Sequence, residues 1–158
     1  MRGLLAGAAG TLGMDVVRYA GYRAGGGRDR FRDWELSAGL SDWESAPAPA
    51  HVAKRLVEGL FQVTLPGERA ALVNNVVHWA YGTGWGGVFG LVEGSLPRRR
   101  ARHGLLFGTL VWLTDYAVLP PMGLYEPIWR YDLRTLAEDL CGHLAYGVGT
   151  AGAYRALA

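Results

Sequence analysis

Four long apolar segments dominate this sequence, at about residues 3–21, 71–95, 104–119 and 136–157. Each is near the ~20 residues that a helix needs to cross the hydrocarbon core of a bilayer. The second carries no charged side chain before Glu93, and the third ends at Pro120-Pro121, where a helix is expected to stop. The sequence therefore predicts an all-α polytopic membrane protein, a single domain over 1–158 with four transmembrane helices.

The glycine content fits the same environment. The chain has 24 glycines among 158 residues, about twice the usual share. Inside a helix in water each would cost roughly 1 kcal/mol relative to alanine. In a bilayer the same residues let helices approach closely, and glycine is commoner there. We expect Gly82, Gly86, Gly90 and Gly94 to form a packing stripe on the second helix.

The connections between the apolar segments differ in length and composition. The first, about 24–66, is long, contains Trp34 and Trp43, and ends in a stretch with helical periodicity. The apolar side chains on one face of that stretch are Val52, Leu56, Leu60 and Phe61. We therefore expect a short amphipathic helix that lies along the membrane surface.

The distribution of arginine predicts the orientation in the membrane. The short second connection holds the basic residues Arg98, Arg99, Arg100 and Arg102. Short loops of this composition stay on the cytoplasmic side under the positive-inside rule. Arg2 and Arg155 agree, so both termini are predicted to be cytoplasmic, although further arginines follow the first segment on the opposite side.

The second and fourth segments contain an internal repeat. The phrase [ND]-x-x-x-H-x-A-Y-G-x-G-x-x-G begins at Asn74 and again at Asp139, a constant shift of 65 residues without a gap. The first and third segments resemble each other more loosely, through a Gly-Leu-Leu start at Gly3 and Gly104 and a later aspartate. The repeat predicts two tandem helical hairpins in a four-helix bundle, related by a pseudo-twofold axis along the membrane normal.

Six polar side chains fall near one level of this bundle: Asp15, Asn74, His78, Asp115, Asp139 and His143. At a rise of 1.5 Å per residue, the first-segment and third-segment aspartates and both histidines lie within a few Å of one layer, on the outer side of the midplane. Asn74 and Asp139 come one turn before the histidines and can hold a ring N–H. A charge inside a bilayer costs perhaps 3 kcal/mol or more, so we expect these groups to face the bundle interior and pair.

Three kinds of function fit this layer. The first is a small proton-linked transporter or channel in which Asp15, Asp115, His78 and His143 relay protons, because histidine titrates near neutral pH. The second is a structural or assembly subunit of a membrane complex, in which each Asp–His contact stabilises packing by about 1 kcal/mol. The third is a haem or metal-binding protein with His78 and His143 as ligands. Outside that third case the sequence predicts no cofactor and no metal.

Other classes have little support. No Ser-His-Asp spacing, phosphate-binding loop or H-E-x-x-H motif is present, so an enzyme is not predicted. No basic stripe with interleaved aromatic residues indicates nucleic acid. The single Cys141 cannot form a disulfide within this sequence or build a thiolate metal site. The expected partners are the lipid bilayer and either a second copy of the chain or another membrane protein.

The second half of the chain resembles the YagU-like family of bacterial inner-membrane proteins. The likeness covers about residues 70–157. It depends on the phrases Gly-Leu-Leu-Phe-Gly at 104–108, Leu-Pro-Pro-Met-Gly-Leu at 119–124 and Glu-Asp-Leu-Cys-Gly-His-Leu at 138–144, and on His78 in a glycine-rich helix. Members carry a domain of unknown function. The resemblance therefore implies a bacterial inner-membrane location without a reaction, and it supports a histidine in the second and fourth helices.

Overall fold

The computed structural model describes residues 1–37, 39–97 and 102–157, and every regular element in these ranges is helical. The α-helices are α1 (Arg2–Ala24), α2 (Phe31–Glu35), α3 (Ala48–Phe61), α4 (Ala70–Ser95), α5 (Arg102–Val118) and α6 (Leu133–Ala156). Short 3-10 turns lie at Gly67–Arg69, Pro120–Met122 and Ile128–Arg130. The all-α prediction is confirmed.

The four long helices coincide with the four apolar segments. Each begins or ends within a few residues of its predicted bounds, and α5 stops at Val118, just before the proline pair. Asp132 starts α6, because its carboxylate accepts the backbone N–H of Thr135 at 2.9 Å. The amphipathic stretch is also helical as α3, and its Leu60 and Phe61 are exposed. The basic run Arg98–Arg100 lies outside the described residues, so the orientation remains a prediction.

Membrane crossing is supported by composition for one of these helices. Among the described residues, the stretch Arg102–Met122 is long and apolar enough to span a bilayer by length and composition alone. The other long helices interrupt their apolar sequence with polar residues such as Asp15 in α1, Asn74 in α4 and Asp139 in α6. Four crossings therefore remain a prediction.

α1 is the central helix of the bundle. It packs along α4 on one side and along α6 on the other, and α5 packs on α6. Glycine makes these approaches possible, because a Cβ on Gly86 would overlap the backbone of Gly7, and a Cβ on Gly10 would overlap Thr150. In the second hairpin, a Cβ on Gly147 would overlap Gly104 and Gly108. The small-residue packing predicted from the glycine content is therefore present, with glycines of neighbouring helices facing each other.

The two hairpins are not related by a complete twofold axis. The repeat equates α1 with α5 and α4 with α6, yet α1 lies close along α6 while the backbones of α5 and α4 rarely approach. The side chains explain the difference. Where the tight interface has Gly10 and Thr150, the same positions of the repeat hold Val111 and Trp85. Trp85 packs edge-to-face on Phe107 with ring centroids 6.1 Å apart, and these larger side chains hold α4 and α5 apart.

The outward faces of the long helices are apolar. Leu91 of α4 is 76% exposed and Leu106 of α5 is 65% exposed. Similar side chains lie along all four helices: Leu5, Leu12, Val16, Leu72, Val76, Val88, Leu105, Leu110, Leu113 and Val148. The buried polar side chains include Asp15, Glu93 and His143. The bundle thus exposes many large apolar side chains, while a few ionisable groups are buried beside a core of apolar and aromatic residues such as Phe89, Phe107 and Tyr146.

The glycine contact between α1 and α4 makes a prediction about stability. Gly86→Ala places a methyl group against the backbone of Gly7 and should destabilise the fold by about 1–3 kcal/mol, as overpacking does. Gly84→Ala in the same helix is the matched control, because a Cβ there meets no atom within 4 Å. Thermal unfolding in detergent, followed by circular dichroism, should show a lower melting temperature for Gly86→Ala alone. Equal melting temperatures for the two variants would contradict the packing account.

Candidate functional site

Each hairpin brings its own aspartate onto its own histidine. Between α1 and α4, Asp15 Oδ1 lies 2.8 Å from His78 Nε2. Between α5 and α6, Asp115 Oδ2 lies 3.2 Å from His143 Nε2. Asp15 and His143 are 3% and 5% exposed, so each pair has one deeply buried member. The sequence placed these four side chains at one level, and the structure adds that they form two separate pairs.

Hydrogen-bond contacts engage both ring nitrogens of His143. Nδ1 of His143 lies 2.9 Å from the backbone carbonyl of Asp139, which can only accept, so Nδ1 must donate. Nε2 then faces the Asp115 carboxyl, and that contact is a hydrogen bond only if a proton lies between the two groups. Tyr81 also donates to Asp115 Oδ1 at 2.8 Å.

Asp139 is the most heavily bonded carboxylate of the layer. Its Oδ1 lies 2.8 Å from an Arg18 guanidinium nitrogen and 3.6 Å from His143 Nδ1. Its Oδ2 accepts from Trp112 Nε1 at 3.1 Å and from the Tyr116 hydroxyl at 3.3 Å. Arg18 therefore neutralises Asp139, and the two together contribute no net charge to the site.

The pair in the first hairpin extends to a third carboxyl group. Glu35 at the end of α2 accepts from Trp79 Nε1 at 3.0 Å. Burial raises the pKa of Glu35, and the neighbouring charge of Asp15 raises it further. Glu35 and Asp15 are therefore neighbouring acids, and His78 bonds Asp15 on its other side.

Both Asp–His pairs line a cavity of about 560 Å³. It lies in the half of the bundle where α4 and α5 diverge, and residues of all four long helices line it. The first connection also contributes Trp34, Pro47 and Val52 to its wall. Besides the pairs, the polar lining includes Arg18, Glu35, Asn74, Tyr81 and Tyr146. The first connection, whose amphipathic helix is predicted to lie along the membrane surface, therefore also forms part of the cavity wall.

Asn74 departs from its predicted role. Its side-chain amide donates to the Ser37 hydroxyl at 3.0 Å and so ties α4 to the first connection. The equivalent Asp139 does contact its histidine. The two positions of the repeat therefore differ in their contacts. Asp139 has the carboxylate that pairs with Arg18, whereas Asn74 has an uncharged amide.

Three residues of the site, Tyr81, Arg18 and Glu35, are not predicted from the sequence. Tyr81 belongs to the repeated phrase and bonds Asp115, whereas the equivalent Tyr146 donates to the Gly82 carbonyl at 2.6 Å. The spacing of Tyr81 from His78, three residues along one helix face, was a usable signal. The sequence shows the charge of Arg18, but it does not show that Asp139 of α6 is its partner. Glu35 lies in a connection, where no periodicity predicts contact with the bundle.

A further buried His–carboxylate pair lies at the other end of the bundle. His103 Nδ1 lies 2.7 Å from Glu93 Oε2, and the Glu93 side chain is 4% exposed. Glu93 follows His78 by 15 residues on α4, which is about 22 Å along the axis. The pair is therefore separate from the cavity.

The geometry gives little support to the haem or metal alternative. Each Nε2 of His78 and His143 faces a carboxylate of its own hairpin. Within the described ranges, no group of three or more His, Cys, Asp or Glu side chains is arranged to hold a metal ion. Ligation of haem or a metal by the two histidines remains a prediction from sequence.

Comparison with known proteins identifies a family. A family of unknown function, DUF6789, matches residues 50–158, and the chain belongs to it. No curated protein and no solved structure matches the chain. The matched region contains His78 and the Asp115–His143 pair, while Asp15 and Glu35 precede it. The family name carries no reaction, and the resemblance to the YagU-like family remains a prediction.

The hydrogen bonds of His143 predict its protonation. In protein labelled with ¹⁵N in the histidine rings, Nδ1 of His143 should resonate as a protonated nitrogen at neutral pH, because it faces a carbonyl oxygen. Asp115→Asn removes the carboxylate that holds the second proton, so Nε2 should then lose its proton while Nδ1 keeps its own. An unprotonated Nδ1 in the wild-type protein would contradict the assignment.

Proposed function

We propose that this member of the DUF6789 family is a small integral membrane protein that moves protons through a cavity between two Asp–His pairs. The four long helices would cross the bilayer, and proton movement would be linked to transport through the same cavity. The observation that carries the proposal is the combination of leucine and valine on the outer faces with ionisable groups buried inside the bundle.

The outer surface supports the membrane part of the proposal. In water, exposed apolar area costs about 25 cal/mol per Å², and large contiguous patches are rare on monomers. The outward faces of α1, α4 and α5 carry such side chains along most of their length, and α6 carries Leu133 and Val148. In lipid that cost disappears. The exposed apolar side of α3 would likewise contact lipid at the membrane surface.

Helix length and the position of polar groups are consistent with four crossings. The long helices contain 23, 26, 17 and 24 residues. At 1.5 Å per residue they measure about 26–39 Å, against a hydrocarbon core of about 30 Å. Polar residues lower the apolar character of three of them. A membrane helix accommodates such residues when they face the bundle interior and pair, as Asp15 and His143 do here.

The chemistry of the layer supports proton movement. On one wall of the cavity, Asp15 bonds His78, and Glu35 is a neighbouring acid whose pKa is raised by burial and by the charge of Asp15. On the other, Tyr81 joins α4 to Asp115, which pairs with His143. Every one of these groups can accept and release a proton, and histidine does so near neutral pH. The cavity lies between the two linked sets.

The cellular setting follows from the resemblance. We propose the bacterial inner membrane, with both termini cytoplasmic, on the likeness to the YagU-like family and the position of the arginine-rich second connection. The structural or assembly alternative has one specific support, the exposed Leu56, Leu60 and Phe61 of α3, which a partner protein could cover in place of lipid.

Proton flux through reconstituted protein tests the proposal. Liposomes containing the chain and an internal pH dye should dissipate an imposed proton gradient faster than protein-free liposomes when valinomycin and potassium prevent charge build-up. The double variant His78→Gln/His143→Gln should reduce the rate to that of protein-free liposomes, because both pairs lose their titrating member.

The control for this experiment is His51→Gln, which replaces a histidine of α3 outside the two pairs and should leave the rate unchanged. Circular dichroism and size-exclusion chromatography establish that each variant is folded. Equal flux from the wild-type protein and the double variant would contradict the proposal, as would wild-type flux no faster than that of empty liposomes.

A further inference from the structure

One oxygen at the cavity has no partner among the described residues. Asp15 is 3% exposed, and its Oδ1 is bonded to His78, but no hydrogen-bond donor in the described part of the chain reaches its Oδ2. Leaving a buried carboxylate oxygen unbonded is unfavourable by 1–3 kcal/mol or more. Asp15 lines the cavity, so a proton or a positively charged ligand there would satisfy this atom.

A second carboxyl group, that of Glu35, lines the same cavity. Burial and the neighbouring charge of Asp15 raise the pKa of Glu35. Two neighbouring carboxylates repel each other, so in the empty site Glu35 keeps its proton to a higher pH than a lone glutamic acid does. A cation placed between them would remove the repulsion and make that proton unnecessary.

The other charged groups around Asp15 do not supply the missing positive charge. On α1, Arg18 is paired with Asp139 of α6. On α5 and α6, Asp115 and His143 are paired with each other. On α4, His78 already bonds the other oxygen of Asp15. With both carboxyls ionised and His78 neutral, this wall of the cavity carries two negative charges.

The remaining lining suits an organic cation. The aromatic residues Trp34, Tyr81, Trp85, Tyr125 and Tyr146 all contribute to the cavity wall. Aromatic faces attract ammonium groups, most strongly when water is excluded. A volume of about 560 Å³ is within the range of small-molecule sites. A bare metal ion fits less well, because no cluster of three metal-ligating side chains lies in the described part of the chain.

We propose that the cavity binds a small organic cation, an ammonium compound with apolar or aromatic substituents, whose charge is held by Asp15 and Glu35. Binding releases the proton that Glu35 keeps in the empty site. The carboxyl pair goes from one negative charge to two, the cation contributes one positive charge, and one proton leaves to solvent or to His78. The inference deepens the proposed function, since it makes the transported substrate a cation exchanged for protons.

Calorimetry on the full chain in detergent tests this site. Benzyltrimethylammonium is the probe, and benzenesulfonate is an anion of similar size for comparison. The cation should bind and the anion should not. Titration in two buffers with different ionisation enthalpies should reveal about one proton released per cation bound at a pH where Glu35 keeps its proton in the empty site, falling towards zero as the pH rises.

Variants of the two acids distinguish cation binding at this site from nonspecific binding to apolar surfaces. Asp15→Asn and Glu35→Gln should each weaken cation binding about tenfold or more, because each removes a buried charge that faces the ligand. Glu35→Gln is the safer variant for folding, since Glu35 lies outside the four long helices. Glu44→Gln, an exposed acid of the first connection, should bind like the wild-type protein.

The proposal is overturned if benzyltrimethylammonium does not bind, if benzenesulfonate binds as tightly, or if Glu35→Gln binds the cation unchanged. These results are independent of the liposome experiment, which contains no organic cation. Proton flux without cation binding would leave the proton path standing and remove the substrate class. Cation binding without flux would leave the site standing and remove the transport function.

Discussion

The close approach of glycine backbones is the constraint on which the rest of the structure depends. Gly7 against Gly86 and Gly10 against Thr150 allow α1 to lie between α4 and α6 with almost no side chain in between. In the register of the repeat, Val111 and Trp85 occupy the places of Gly10 and Thr150, so the equivalent interface between α5 and α4 cannot close. The cavity is the space left by that difference. The larger side chains in the second copy of the repeated hairpin therefore leave a cavity where the first copy has a close helix contact.

Ionisable groups can lie in such a cavity only where each has a partner. Burial of an isolated charge is far more expensive than burial of a paired one, and the ionisable groups of the layer meet an opposite charge or a hydrogen-bond partner. Arg18 pairs with Asp139, and Asp115 pairs with His143. Asp15 and Glu35 differ from these pairs, because they are two neighbouring acids and Oδ2 of Asp15 meets no donor in the described part of the chain. The excess of negative charge at these two acids is the reason why the cavity would favour a cation.

Local sequence patterns predicted the helices well, but they predicted the contacts between the helices less well. The long helices, the stop before Pro120 and the helical stretch at Val52 follow from hydropathy, proline chemistry and periodicity, which act over a few turns. The common level of the Asp and His side chains follows from helix rise. Helix rise does not predict which aspartate pairs with which histidine, because the pairing depends on the rotation of α1 and α5 about their axes. The contact of Glu35 depends on how a long connection folds back, and the break in symmetry depends on comparing facing side chains of different helices. Asn74 was assigned by analogy with Asp139, although the two side chains differ in charge.

The central claim is that the outer faces of the long helices meet lipid, and spin-label accessibility measures this most directly. After Cys141→Ser removes the native thiol, single cysteines in place of Leu91 and Leu106 can carry a nitroxide at two of the most exposed apolar positions. In liposomes the account predicts that both labels relax strongly with oxygen, which dissolves in the hydrocarbon core, and weakly with a water-soluble nickel chelate. A label at the exposed Glu44 should show the opposite preference. Strong relaxation of the Leu91 and Leu106 labels by the nickel chelate would show that these faces meet water and would contradict the account.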